Sequence, residues 1–175
     1  RMDLRAALDA RHGKQRATLE GQGLALTVAG LRIDRARLEG SLADPALPGG
    51  TDLRAELRGV GTEDIVADSV DARVRGMDAG LGLHLELSHQ SSGTSLSSSA
   101  TLASDLKRLA IETLRGTLLR QPLALEAPFS ITSAASGIAW PRAALNFGPS
   151  RLNSRGSLSP THADIHAELA DFDPA

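Results

Sequence analysis

His162, Asp164 and His166 stand at i, i+2 and i+4 near the C-terminal end. In a strand that spacing puts two imidazoles and a carboxylate on one face, a set able to ligate a divalent metal. It is equally the spacing of a solvated strand face with Ile165 and Leu169 turned the other way, and that plainer reading is the expectation. His84 and His89 flank a turn and have no evident partner. The serines between Ser88 and Ser99 could supply a nucleophile, but there is no G-x-S-x-G motif, and a polar hairpin accounts for them. "GQG" at 21–23 and "GLG" at 80–82 lack the strand, Gly-rich turn and helix of a phosphate cradle. Acidic residues alternate outward beside arginines, and only Lys14 and Lys107 are lysine. Trp140 and Phe147 could clamp an apolar ligand or fill a wide place in a core; in a groove the two roles merge. No acid, base and nucleophile converge, so neither an enzyme nor a bound cofactor is expected.

The elements that would position these groups follow from composition and period. The chain has 175 residues and net charge -2, from 19 basic and 21 acidic residues that are interspersed. That balance argues against a nucleic-acid partner, which would need a basic patch, and supplies no polybasic membrane anchor. With no cysteine, disulfides and thiolate metal sites are excluded, while the compartment stays open. No apolar run approaches the roughly 20 residues that span a bilayer, and no signal peptide is present. Arg1 is not an initiator, and "MDLRAALDA" and "HADIHAEL" put strand pattern at both ends. The expectation is a single segment, residues 1–175, of a longer protein whose membrane anchor or export signal lies outside it. Hydrophobic residues make up 41% but aromatics only 2%, so the apolar surfaces are flat and aliphatic rather than ring-filled.

Apolar and polar residues alternate from end to end, the signature of half-buried strands. Met2, Leu4, Ala6 and Leu8 share a face. Ala17 and Leu19 follow, then Leu24, Leu26 and Val28 after an expected turn at Gly21-Gln22-Gly23. In "LRIDRARLEG" Leu31 and Ile33 fall out of phase with Ala36 and Leu38, which predicts a bulge. "SLADPALPGG", residues 41–50, is the clearest loop. Leu53, Ala55 and Leu57 come next, then Val70, Ala72 and Val74, and then Leu81, Leu83, Leu85 and Leu87 in "LGLHLELS". "HQSSGTS" predicts a hairpin turn. "SDLKRLAIETLRGTLL" fits a helix capped by Ser104 or a strand; the strand is favoured because everything around it has strand period. In "QPLALEAPFSIT" Leu123, Leu125, Ala127, Phe129 and Ile131 share a face, and Pro128 predicts a bend. Pro141 is expected to split "GIAW" from "RAALNFG".

About fourteen short strands joined by short turns imply an antiparallel meander. Its aliphatic face must be covered. A second sheet, a helix layer, a membrane or a greasy ligand could do this. No helix layer is visible, and the aromatic girdles of a transmembrane barrel are missing. A flat sandwich remains open, as does a sheet curled round its own apolar face.

The stretch "RLAIETLRGTLLRQPLALEAPFSITSAASGIAWPRAALNFGPSRLNSRGSLSP" resembles the strand repeats of the TamB (translocation and assembly module) family, among the AsmA-like, repeating β-groove proteins. An apolar strand ends at Gly148 and another centres on Gly156. The likeness is strongest over residues 105–160. It rests on rhythm, with no catalytic motif. The resemblance implies an all-β fold, a long antiparallel meander curled into a U-shaped hydrophobic groove (a β-taco). It implies a periplasmic segment of an inner-membrane-anchored protein. Its partners would be phospholipids, or nascent outer-membrane protein strands, together with an Omp85-family outer-membrane protein. The expected groove lining is Leu53 and Leu57; Val70 and Val74; Leu81, Leu83, Leu85 and Leu87; Leu123 and Leu125; Phe129 and Ile131; Ile138, Trp140, Leu145 and Phe147; and Ile165 and Leu169. The alternative is a structural or adhesive β-sandwich or solenoid segment of a secreted protein. Its interior would be closed and filled with side chains.

Overall fold

A computed structural model describes residues 2–11, 14–28, 31–43, 48–62 and 66–171. The described chain is all β apart from one 3-10 turn at Pro48–Gly50. Its strands are β1 (Met2–Arg11), β2 (Lys14–Val28), β3 (Leu31–Leu42), β4 (Thr51–Gly61), β5 (Val66–Met77), β6 (Gly80–His89), β7 (Thr94–Ala103), β8 (Arg108–Leu118), β9 (Gln121–Leu125), β10 (Phe129–Ala134), β11 (Gly137–Phe147), β12 (Ser150–Leu158) and β13 (Ala163–Ala170). All thirteen belong to one antiparallel sheet in chain order, β9 and β10 together filling one place between β8 and β11. Short turns allow no other hand-over between neighbours. At Gly148, φ of +56 makes the reversal from β11 to β12 in a conformation that glycine adopts without steric penalty.

Several expectations need correction. Gly21-Gln22-Gly23 is not a turn: β2 runs straight through it, Gly21 opposite Leu4 and Gly23 opposite Met2. Two glycines permit a turn but do not force one when both neighbouring strands continue. "GIAW" and "RAALNFG" are one strand, β11. Its pairing with β12 steps from Trp140↔Gly156 to Ala143↔Ser154, so Pro141 sits in a bulge rather than a break. There the missing proline N–H costs no ladder bond. Residues 121–132 are two strands, interrupted over 126–128. The thirteen strands therefore arise by one merger at Gly21, one at Pro141 and one division at Pro128. Of the 41–50 loop, Pro45 lies outside the described residues.

Other expectations agree with the structure. The ambiguous segment is strand: Leu109 pairs with Leu102 and Ile131. The reversal before it is tight, with Leu106 N–H on Ala103 O at 2.9 Å and Lys107 N–H on the Asp105 carboxylate at 2.9 Å. One does not: the bulge expected between Ile33 and Ala36 is absent, because Asp34 has no ladder partner but the register is the same on either side of it. The ladders pass from Leu24↔Arg35 to Leu26↔Ile33, and from Arg35↔Arg58 to Ile33↔Val60. Ala25 and Gly59, at φ 48 and 60, flank Asp34. Leu24 is opposite Arg35 and does not join Leu26 in one row.

Candidate functional site

Residues directly opposite each other in an antiparallel ladder point to the same side, so the register assigns faces. One row runs Leu57, Val70, Leu87, Leu96, Gly116, Leu123, Phe147 from β4 to β11. A second runs Leu53, Val74, Leu83, Ala100, Ile111, Phe129. A third runs Leu81, Leu102, Leu109, Ile131. Leu125, Leu145, Leu152 and Leu169 form another, and Trp140, Gly156 and Ile165 another. Leu85 falls between Ala72 and Ser98, and Ile138 opposite Leu158. All eighteen residues of the expected lining thus lie on one face.

Alternation alone would not keep them there. Between Ser99↔Thr113 and Ala100↔Ile111 the register shifts, with Glu112 as the extra residue. The chain also breaks at 126–128 and bulges at Pro141 and Arg142. The shifts at Glu112 and at Pro141–Arg142 reset the phase, so Ile111 and Leu114 share a face, as do Trp140 and Leu145, while across 126–128 the phase is kept.

This face is not a filled core. The buried apolar residues are Ile33, Ala67, Ala100, Ala143 and Ala144, four of them alanine, and no large side chain is fully buried among the described residues. None of the eighteen lining residues is buried; Leu85 is 44%, Leu169 52% and Ile165 57% exposed. The chain exposes 12037 Å², against roughly 8,100 Å² for a compact monomer of its mass. Trp140 lies over Gly156, where a Cβ would come within 2.8 Å of the ring, and its indole N–H donates to Ser154 Oγ at 2.9 Å. Phe147 lies at the other end of β11, seven residues or roughly 23 Å along the strand. The two rings do not form a clamp.

The opposite face is charged and laced by ion pairs. Arg73 grips Asp52 with two hydrogen bonds, 3.1 and 2.9 Å, which hold the Asp52 carboxyl below its ordinary 3.8 and raise Arg73 in turn. Arg37–Glu39, Arg54–Glu56, Arg58–Asp71 and Arg151–Glu126 are further pairs. The last spans β11, tying the break after β9 to β12. Depressions of 160 to 520 Å³ lie among these polar side chains. None of those five is bordered by the leucines of the aliphatic face.

The histidines have partners that sequence spacing did not reveal. His84 Nε2 lies 3.2 Å from Glu86. His89 Nε2 lies 2.8 Å from Ser91 Oγ, and its Nδ1 3.6 Å from Asp68, which accepts the Gln90 N–H at 2.6 Å. Ser91, His89 and Asp68 follow the order nucleophile, base, acid. However, Nδ1 is buried with no hydrogen-bond partner, so the carboxylate does not orient the ring as a triad requires. The contacts join the β6–β7 hairpin to β5. His162 precedes β13 and closes a turn with Ser159, whereas Asp164 and His166 lie within the strand on its polar side. Among the described residues no group of three His, Asp or Glu is placed to hold a metal, and no helix is long and apolar enough to cross a membrane.

The fold and its surfaces define a single-sheet antiparallel meander with one aliphatic and one ion-paired face. No family model, curated protein or solved structure matches the chain.

Proposed function

We propose that the aliphatic face is the inner wall of a U-shaped groove that shields and conducts phospholipid acyl chains between inner and outer membrane. The protein is then a non-enzymatic, periplasmic segment serving outer-membrane biogenesis. The observation that carries this reading is an apolar face shared by β4 to β13 in which no large side chain is fully buried among the described residues. Nine strand places at about 4.8 Å, each about 20 Å long, make an apolar surface of roughly 800 Å². Monomers rarely expose more than about 300–600 Å² in one patch. Acyl chains could cover it, at about 0.8 kcal/mol per methylene removed from water. That attraction is non-directional, and aliphatic walls without fixed polar groups leave a tail free to slide. The resemblance to TamB-like repeats points the same way, with an Omp85-family protein as the outer-membrane partner and nascent outer-membrane strands as a second cargo.

Curvature has a local source. The shift at Ser99/Ala100, the extra Glu112, the break at 126–128 and the bulge at Pro141 and Arg142 lie side by side across β7 to β12. Each bulge bends and twists its strand, and irregularities in register bend the sheet along one line.

Trp140 is the only tryptophan and lies on the proposed wall, so it reports directly. Phospholipids brominated on the acyl chain should quench its emission, and an organic extract of the purified chain should contain phospholipid by mass spectrometry. A lipid-free extract together with unquenched Trp140 would overturn the reading.

A further inference from the structure

The bulge in β11 opens a depression of 400 Å³ on the charged face, bordered by Arg142, Asn153, Arg155, His166 and Glu168. Arg142 is carried there by the bulge. Arg155 comes from β12, directly opposite His166, and Asn153 is directly opposite Glu168. Arg37, Arg54, Arg58, Arg73 and Arg151 each hold a carboxylate on this face. Arg142 and Arg155 hold none among the described residues, and Glu168 in the same depression pairs with neither.

We infer that this depression binds a phosphodiester. Two guanidinium groups from neighbouring strands border the depression, and such forks match a tetrahedral group with several oxygens. Two arginine charges against the one on Glu168 leave a single net positive charge, which suits the monoanion of a diester better than a dianionic monoester. The site lies on the face opposite the aliphatic wall and does not depend on what covers that wall.

Glycerophosphoglycerol, titrated calorimetrically into the whole chain, probes the soluble source. Flotation with phosphatidylcholine vesicles, with and without phosphatidylglycerol, probes the membrane source. At least one should bind: the soluble diester if the ligand is free, phosphatidylglycerol vesicles alone if it is a headgroup. Arg142→Gln and Arg155→Gln should each weaken binding by about tenfold, the scale of one charged hydrogen bond, and Glu168→Gln should strengthen it. These side chains are exposed, and unchanged far-UV dichroism would verify the fold of each variant. Absence of binding to both probes, wild-type binding by the double arginine variant, or weaker binding by Glu168→Gln would each overturn the inference.

Discussion

Replacing Leu85 by alanine separates an open wall from a closed core. Leu85 stands between Ala72 and Ser98 on β5 and β7, neighbours too short to cover it, and remains 44% exposed. The substitution removes three carbons, worth about 2.4 kcal/mol if fully buried at about 0.8 kcal/mol each. With just over half of the side chain buried, the expected loss is about 1.3 kcal/mol, and no cavity term is added because the gap opens to solvent. In a filled core the same change costs roughly 3–5 kcal/mol. Urea unfolding followed by Trp140 emission measures the difference, taken from the midpoint at constant slope. Leu85→Glu should fold too, its carboxylate reaching water, but should lose acyl-chain quenching of Trp140. A loss above about 3 kcal/mol for Leu85→Ala, or an unfolded Leu85→Glu, would refute the open wall and favour a sandwich.

Asp52 titrates below its ordinary 3.8 in the folded chain, so its bond to Arg73 stabilises above the unfolded pKa and is lost as pH falls through the lower folded value. Asp52→Asn should therefore lower the urea midpoint slightly near neutral pH, and the two proteins should converge once the pH falls below the lowered folded value; a gap that persists in acid would show another origin. Gly156→Ala places a methyl within 2.8 Å of Trp140 and 2.7 Å of Asp164 O. It should shift Trp140 emission and cost about 1–3 kcal/mol as an overpacking change, whereas Gly49→Ala, with nothing within 4 Å, should shift neither emission nor midpoint. Leu125→Asp, opposite Leu145, should abolish lipid co-purification with far-UV dichroism retained.

The strands were legible because alternation is a local property. Leu57, Val70 and Leu87 could each be placed on the apolar face of its own strand, but that they stand opposite one another in a row follows only from the register. The phase slip between Ile33 and Ala36 was visible in the sequence too, yet the register is the same on either side of it. What could not be traced was how an irregularity resolves, because that depends on the neighbouring ladder. Pro128 and Pro141 look alike in sequence. Near Pro128 β8 adds Glu112 and the chain opens into two strands, while at Pro141 the strand carries on as a bulge. Gly21 and Gly23 look like a turn until β1 and β3 are seen to continue past them. Side-chain partners were hidden too, since His89 meets Asp68 only through the registry of β5 with β6.

The same irregularities link the two faces. A regular sheet of this sequence would turn half of each long strand over: beyond Glu112 or Pro141, strict alternation would carry the leucines to the charged side. The inserted residues prevent that and leave a polar residue over at each shift. Glu112 takes the Thr101 hydroxyl across the strands; Glu126, on the charged side by alternation alone, reaches Arg151 over β11; and Arg142 has no acid among the described residues. Keeping one face aliphatic across β7 to β12 thus deposits charges along a line on the other. Two of those charges are neutralised or hydrogen-bonded within the sheet. The third, with Arg155 beside it, is where the charged face is least self-sufficient, and where an external anion has most to gain.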